Sequence, residues 1–301
     1  MKKVIVTGGA GFIGSHIVDA LVDGGYDVHI VDNLYAGNKE NINPKAVFHN
    51  VDIRDYNKLV DIFKDTEYVF HEAALPQVQY SMENPIETND VNVNGTINVL
   101  EACRVNKVKR LIFASSSAIY GDQEILPIKE DSIKKPLSPY GAQKYIGEVY
   151  CELYSRIYNL ETVMLRYFNV YGPRQSGRGV HASVISRFMD FKKNGQPLTI
   201  VGDGNHVRSY VHVRDIAHAN MLAMTSTDVG KSEYINIASN SDHSVNDIAR
   251  LLGGDVVYVD QRIEPKISSA DIQKAKDLIG WSPSISLSDG IVELKKYNSI
   301  I

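Results

Sequence analysis

Residues Lys2 to Asn33 read KKVIVTGGAGFIGSHIVDALVDGGYDVHIVDN, and this stretch decides the fold. The β-branched run Lys3–Thr7 predicts a buried strand. A glycine-rich turn follows, and apolar residues then recur at helical spacing until Gly24 ends the helix. Residues 27–31 predict a second strand, with Asp32 at its end. The order is therefore strand, glycine turn, helix, strand and acid.

This order suits a dinucleotide. Backbone N–H groups and the positive end of a helix dipole bind a pyrophosphate, and glycines allow its close approach. An acid about 20 residues further on can accept both ribose hydroxyls of an adenosine and repels a 2′-phosphate, which favours NAD over NADP. A glycine pattern alone also fits an ordinary tight turn, but the flanking strands and the acid favour the dinucleotide. The candidate cofactor residues of this stretch are Gly8, Gly11, Phe12, Ile13, Gly14, Asp32 and Asn33.

The composition is that of a globular protein. Of 301 residues, 44% are hydrophobic and 23% are charged, and the formal net charge of −4 gives no reason to expect nucleic acid or an anionic membrane as partner. The two cysteines, Cys103 and Cys151, provide no zinc spacing or disulfide framework. No signal peptide or spanning segment is evident, so the expected location is the cytoplasm.

Strands and helices alternate along the chain, which predicts an α/β fold: a doubly wound parallel sheet, Rossmann-like, with a smaller C-terminal α/β substrate lobe. We expect an NAD-binding domain at 1–174, which some later segments rejoin, and a substrate lobe at 175–301. Residues 233–237 are a candidate for a strand that returns to the main sheet. Residues 72–85 are predicted to form a loop, because Pro76 and Pro85 interrupt them.

The segment Tyr140-Gly-Ala-Gln-Lys144 places a phenol and an ammonium on one helix face. A nearby Lys⁺, with help from a nicotinium ring, would favour the phenolate and give a base near neutral pH. Tyr35 and Lys39 have the same spacing, but they lie in a loop and are interpreted as chance. Residues 115–117 are serines at a strand end pointing to the same cleft, where a hydroxyl can relay a proton or hold a sugar oxygen.

These motifs resemble the extended short-chain dehydrogenases/reductases of the NAD-dependent epimerase/dehydratase family, and within it the UDP-glucose and UDP-N-acetylglucosamine 4-epimerases. The similarity covers nearly the whole chain. The stretches that carry it are residues 7–14, 32–34, 52–53, 71–74, 92–96, 115–121, 140–144 and 166–173.

The resemblance assigns roles by position. It implies that Ser116, Tyr140 and Lys144 are catalytic, with Tyr140 as the base and Lys144 also on the nicotinamide ribose. It adds Asp52, Ile53, Ala73, Ala74 and Asn92 to the cofactor site. For the substrate it implies Ser116, Ser117, Tyr140, Asn169, Val184, Leu198, Val201, Arg208, Arg262 and Ser268.

The same resemblance implies a reaction. Family dehydratases carry Asp-Glu after the catalytic hydroxyl residue, and related decarboxylases carry a Glu in that loop. Here Ser117-Ala118 follow Ser116, with no carboxylate. The expected activity is therefore UDP-hexose 4-epimerisation through a transient 4-keto sugar and bound NAD. Small Ser268 leaves room for N-acetylated sugars, although an ordinary loop serine would look the same.

Three positions depart from the family pattern. Ser209 replaces a common Asp after Arg208. Glu72 stands where an apolar residue or Gln usually follows the histidine, and the Arg262 segment differs from the usual Arg-x-Gly-Asp. The alternatives are another NAD-dependent nucleotide-sugar oxidoreductase that releases its cofactor, and a non-catalytic dinucleotide-binding protein. A pure binding protein has no reason to keep the three catalytic residues. The helix at 140–159 is apolar around much of its circumference, and the family packs it in a four-helix bundle, so a homodimer is expected.

Overall fold

The computed structural model describes residues 1–176, 183–260 and 267–300, without the side chains of 267 and 268. Its strands are β1 (Lys3–Thr7), β2 (Asp27–Asp32), β3 (Val47–Asn50), β4 (Thr66–His71), β5 (Arg110–Ser116), β6 (Glu161–Tyr167), β7 (Val170–Tyr171), β8 (Leu198–Val201), β9 (Val207–Ser209), β10 (Val211–His212), β11 (Lys231–Ile237), β12 (Asp242–Ser244), β13 (Val256–Val259) and β14 (Ile267–Ser268). Its α-helices are α1 (Phe12–Asp23), α2 (Tyr56–Ile62), α3 (Val78–Glu83), α4 (Pro85–Asn89), α5 (Gly95–Val105), α6 (Pro139–Tyr158), α7 (Val184–Lys193), α8 (Val213–Thr225), α9 (Val245–Leu252), α10 (Gln273–Ile279) and α11 (Leu287–Tyr297).

The main sheet has seven strands in the order β11-β6-β5-β4-β1-β2-β3, and every pair is parallel. The chain therefore runs outward from β1 through β2 and β3, returns to β4, and continues outward on the other side. This is the doubly wound Rossmann-like order, with its switch point between β1 and β4. The predicted fold class is confirmed.

The first strand–turn–helix unit follows the sequence closely. Gly8 has a φ of +71°, a left-handed conformation in which any residue with a side chain would be strained. Its N–H donates to the carbonyl of Val31 in β2 (2.8 Å). A Cβ on Gly14 would lie only 2.2 Å from the carbonyl oxygen of Gly8. Helix α1 can therefore begin directly against the turn only because both positions are glycine.

Helices cover both faces of the sheet. One core joins the sheet to α1, α8 and α10, and it includes Ile17, Ile216 and the fully buried Trp281. The opposite core joins the sheet to α2, α5 and α6, and it includes both free cysteines. Burial on two faces explains why these strands are continuous apolar runs and do not alternate. No helix in the described part of the chain is long and apolar enough to cross a membrane.

A third core lies in the C-terminal part of the chain, between α7, α9, α11 and β8, and β8 pairs with the exposed strand β13 in parallel. Helix α9 begins with the capping box that its sequence indicates: the Ser244 hydroxyl accepts from the N–H of Asp247, and the Asp247 carboxylate accepts from the N–H of Ser244. Strand β11 leaves this part and pairs with β6, as its sequence suggested. The boundary at residue 174 itself stays a prediction.

The predicted loop over residues 72–85 is wrong in part, because it contains helix α3. Six residues carry too little periodicity to indicate a helix, and tertiary contact supplies the stability instead. The hydroxyl of Ser81 donates to the carbonyl of Val78, and it accepts from the N–H of Tyr140 at the start of α6 (3.1 Å). Helix α5 is preceded by α4 and by a π-helical turn, Asp90–Asn94.

Candidate active site

A cavity of about 950 Å³ lies at the carboxyl edge of the main sheet. The residues that follow β1, β2, β4, β5 and β6 all reach this edge, because parallel strands end on the same side. The cavity gathers most of the predicted cofactor residues, which are Gly8, Gly11, Phe12, Ile13, Gly14, Asp32, Asn33, Asp52, Ile53, Ala73, Ala74, Tyr140 and Lys144. Asn92 is the exception.

The glycine turn forms one wall of the cavity and fits a pyrophosphate. Helix α1 begins after Gly11 without a side-chain cap, so the N–H groups of its first turn remain available to a ligand. A Cβ on Gly11 would have a single close neighbour within the described chain, the Gly8 carbonyl at 3.1 Å, and would otherwise project into open space. Backbone donors at a helix N-terminus beside open space are the arrangement that binds diphosphates.

Asp32 lies beside this turn and is held by backbone donors. The N–H of Ala10 donates to Oδ2 (3.0 Å) and the N–H of Leu34 donates to Oδ1 (2.8 Å). Burial raises the pKa of Asp32, and these two hydrogen bonds oppose that rise. The carboxyl is thus fixed at the end of β2, where a ribose diol can donate to it.

Asp52 stands next to this carboxyl, on the loop after β3. Asn33 donates to it from Nδ2 (2.9 Å), and Arg54 donates from Nη2 (2.7 Å). The guanidinium lowers the pKa of Asp52 to about 2. Asp52 is therefore a fixed negative charge at the outer end of the cavity. Like Asp32, this charge is compatible with an adenosine there but would repel a further phosphate.

Tyr140 and Lys144 lie on the first turns of α6, at the opposite end of the cavity. Ser138 caps this helix by accepting from the N–H of Gly141 (3.2 Å), which fixes where the helix begins. The ammonium of Lys144 donates to the carbonyl of Ala114 in β5 (2.7 Å) and is buried. Because of this bond, Lys144 is anchored to the strand that carries the serines.

Ser116 is the serine that pairs with Tyr140. A hydrogen bond from Ser116 lowers the pKa of the Tyr140 phenol, but burial outweighs it and raises that pKa to about 12. Burial also lowers the pKa of Lys144 to about 8. The described side chains alone therefore do not produce the lowered phenol pKa expected from the Tyr-Lys spacing.

Ser115 and Asn92 have supporting roles. The Ser115 hydroxyl is buried and donates to Oε1 of Glu148 (2.6 Å), so it holds the end of β5. Asn92 is also buried; its Oδ1 accepts from the N–H of Leu75, and its Nδ2 donates to Gln143. Asn92 thus supports the cavity wall from behind and does not line it.

The predicted substrate residues are less well gathered. Arg208 and Ser268, which are 60 residues apart, pair in register on β9 and β14, which supports placing them at one site. Asn169 is nearby in the fold, since its Nδ2 donates to the carbonyl of Ser209 (3.0 Å). Leu198 is buried in the C-terminal core and its N–H donates to the carbonyl of Asp255 (2.8 Å), so its side chain is not available to a ligand. Val184 and Val201 are partly buried, Ser117 opens the turn after β5, and Arg262 lies outside the described residues.

Two cavity residues were not assigned by sequence reasoning. Glu72 and Tyr167 both line the cavity, and the phenol of Tyr167 donates to Oε1 of Glu72 (2.9 Å). The sequence signal for Glu72 was its departure from the family pattern. Tyr167 lies in a motif from which only Asn169 was assigned a role.

Among the described residues, no group of three His, Cys, Asp or Glu side chains is placed to hold a metal ion.

A doubly wound sheet with a dinucleotide-type glycine turn and a Tyr-Lys pair at its carboxyl edge defines the class of short-chain dehydrogenase-like enzymes. Within that class, this chain belongs to the NAD dependent epimerase/dehydratase family, whose model matches residues 4–238.

Several similar proteins are sugar-nucleotide epimerases, and UDP-glucuronic acid decarboxylases of Xenopus tropicalis and Danio rerio are also similar, at 32% and 31% identity. A putative UDP-glucose 4-epimerase of Methanocaldococcus jannaschii is 46% identical over 96% of this chain and 95% of that protein. The crystal structure of a Thermotoga maritima UDP-glucose 4-epimerase with UDP-glucose has a TM-score of 0.94 at 40% identity, covering 99% of each chain. A UDP-N-acetylglucosamine 4-epimerase from Methanobrevibacter ruminantium, in complex with UDP-N-acetylmuramic acid, also has a TM-score of 0.94, at 38% identity over 100% of this chain and 99% of that one.

Proposed function

We propose that this chain is a UDP-hexose 4-epimerase that acts through a transient 4-keto sugar and bound NAD. The observation that carries the proposal is the position of Tyr140. Its phenol lines one cavity with the dinucleotide-type turn and Asp32, and it lies close enough to Ser116 for that hydroxyl to lower the pKa of the phenol. Base, hydroxyl and cofactor cradle are the parts that oxidation and re-reduction at one carbon require.

In the proposed reaction, Tyr140 accepts the proton of the sugar 4-hydroxyl, and Ser116 hydrogen bonds with the same oxygen. NAD, when bound, supplies the acceptor and later donor of a hydride, and its nicotinium charge favours the phenolate. Lys144, fixed to the Ala114 carbonyl, holds the nicotinamide ribose and keeps positive charge beside the base. Tyr140 returns the proton once the opposite face of the 4-keto sugar has been reduced.

The absence of a carboxylate after Ser116 supports epimerisation over elimination or decarboxylation. The sequence there is Ser117-Ala118, so no Asp or Glu directly follows the catalytic hydroxyl. The UDP-sugar complexes of the similar epimerases support the substrate class. Small Ser268, in register with Arg208, makes N-acetylated hexoses further candidate substrates.

A direct test is to incubate the purified protein separately with UDP-glucose, UDP-galactose and their N-acetyl forms, and to resolve the sugars by chromatography. We expect interconversion within at least one pair without added NAD. Turnover only with stoichiometric NAD would favour the net oxidoreductase, and release of CO₂ from UDP-glucuronate would favour a decarboxylase. NAD binding without any turnover would favour the non-catalytic alternative.

We also propose that two copies associate through α5 and α6. Tyr145, Ile146 and Val149 on α6 are each about two-fifths exposed, as is Val105 on α5. An apolar helix surface of this kind on a soluble chain indicates a partner helix.

Both cysteines are free and buried, and a reducing cytoplasm is the compartment we propose.

A further inference from the structure

Glu72 is a charged residue of the cavity that the proposed reaction does not use. Its N–H donates to the carbonyl of Thr7 (3.1 Å), which fixes its backbone between β4 and β1. Its carboxylate accepts from the phenol of Tyr167, and Nδ2 of Asn220 donates to the same phenol (2.8 Å). This chain of hydrogen bonds holds the carboxylate in one position at the cavity wall.

That position is at the Tyr140 end of the cavity. Glu72 acts electrostatically on both Tyr140 and Lys144, raising the pKa of each. Asp32 ends β2 and Asp52 follows β3, and both strands lie beyond β1 from β4 and β5 in the sheet order. A dinucleotide with its adenosine at Asp32 and its diphosphate on the glycine turn extends its nicotinamide toward Tyr140. Glu72 therefore lies beside the nicotinamide end.

The two redox forms of a nicotinamide differ in charge: the oxidised ring is a cation and the reduced ring is neutral. Lys144 alone would favour the neutral, reduced form, since like charges repel. We propose that Glu72 offsets Lys144 and makes the site prefer the oxidised dinucleotide, so that the reduced form is poised to give its hydride back to the sugar. This inference rests on the proposed function, since it requires that the cavity binds NAD.

The charge of Glu72 depends on pH. Burial raises the pKa of Glu72 to about 7, and the hydrogen bond from Tyr167 and the charge of Lys144 oppose that rise. The groups facing it are Tyr140 and Lys144 from α6 and Tyr167 from β6. The preference for the oxidised dinucleotide should therefore grow as the pH rises from 5.5 to 7.5.

The test is the ratio of two affinities, measured by calorimetry on nucleotide-free protein with NAD⁺ and with NADH. Glu72→Gln keeps the shape and an acceptor for Tyr167 but removes the charge. We expect the Kd for NAD⁺ to rise about tenfold relative to the Kd for NADH, as a unit charge a few ångströms away from a partly buried ring implies. Glu124→Gln, at an exposed loop residue, makes the same charge change and should leave the ratio unaltered.

An unchanged ratio in Glu72→Gln would overturn the inference and leave the proposed cofactor intact, whereas failure of the wild type to bind either nucleotide would overturn the proposed function itself. If Glu72→Gln does not fold, the wild type alone decides. A ratio that is the same at pH 5.5 and 7.5 contradicts the role of Glu72, and a several-fold shift toward NAD⁺ at the higher pH supports it.

Discussion

Arg166 and Glu148 form an ion pair in which neither side chain is exposed, with Nε to Oε1 and Nη2 to Oε2 both at 2.8 Å. The same carboxylate accepts from Ser115 at the end of β5, and Arg166 also donates to the phenol of Tyr120 (2.7 Å). The pair therefore joins β5, β6 and α6, the three elements that carry Ser116, Tyr167 and the Tyr-Lys pair.

Arg166→Met should lower the free energy of unfolding by about 3–5 kcal/mol, because it leaves the Glu148 carboxylate buried without its partner. Urea unfolding followed by circular dichroism measures this. Arg250 pairs with Asp247 at the surface, so Arg250→Met should cost less than about 1 kcal/mol. If Arg166→Met lowered the free energy of unfolding no more than Arg250→Met, the buried pair would not stabilise the packing of β5, β6 and α6.

Tyr140→Phe should reduce turnover of the UDP-hexose by about 10²- to 10⁴-fold, the contribution of a general base. The amount of NAD bound should stay the same, since the phenol oxygen is not part of the diphosphate or adenosine site. Turnover is measured by chromatography and NAD content by absorbance after denaturation. Tyr297→Phe, at an exposed tyrosine of α11, is the matched control and should retain activity. Full activity in Tyr140→Phe would remove this residue from the role of base.

Asp32→Asn should weaken NAD binding at least about tenfold, because one acceptor oxygen and the negative charge are lost from the ribose site. Binding of NADP should weaken less, since repulsion of its 2′-phosphate is relieved. Titration calorimetry with both nucleotides gives the two affinities, and Asp228→Asn, at an exposed aspartate, provides the control. Equal losses for NAD and NADP would show that Asp32 does not select between them.

Val149→Asp should convert the proposed dimer into a monomer, because it introduces a charge into the apolar surface of α6. Val292 on α11 has nearly the same exposure, 43% against 41%, so Val292→Asp tests for a general effect of the substitution. Light scattering should give half the wild-type mass for Val149→Asp and an unchanged mass for Val292→Asp. A wild type that is itself monomeric at micromolar concentration contradicts the proposed association.

The raised pKa of Glu72 also predicts a change in stability with pH. Its folded-state pKa of about 7 lies above the ordinary value of 4.5, so the folded protein binds more protons between these two values. The contribution of Glu72 to the free energy of unfolding is therefore fully present below about pH 4.5, and it is lost as the pH rises through 7. Relative to Glu72→Gln, the wild type should therefore lose on the order of 2 kcal/mol between pH 4.5 and 8. Thermal or urea unfolding at several pH values measures it, and parallel profiles of the two proteins would contradict the raised pKa.

Local patterns were sufficient for the first part of the fold. Strand β1 has the predicted bounds, and α1 begins at Phe12, because strand run, glycine turn and helix spacing all lie within consecutive residues. Helix α3 was missed because six residues owe their structure to contact with α6 and not to their own periodicity.

Only some of the residues in and around the cavity could be predicted from the sequence. Motifs assigned Gly8, Asp32 and Tyr140 to one site, because each lies at the end of a recognisable strand or helix, and all three line one cavity. The Glu148–Arg166 pair carries no such local signal. Its members are 18 residues apart and become partners only when α6 packs across β6. The bond between Glu72 and Tyr167 spans 95 residues and depends on the order of strands in the sheet.

Strand β11 sits at the edge of the main sheet although it comes after β7–β10 in the chain. The polypeptide between Tyr167 and Lys231 thus leaves the main sheet after β6 and returns to it at β11. The C-terminal core also includes α9 and α11, which follow β11, so exchange of the proposed substrate lobe between relatives would require replacement of two segments, one on each side of β11. A cut at residue 174 would remove an edge strand of the nucleotide-binding half together with α8, which packs against α1. Chimaeric enzymes built on this chain should therefore retain α8 and β11, which belong to the main sheet and its cover.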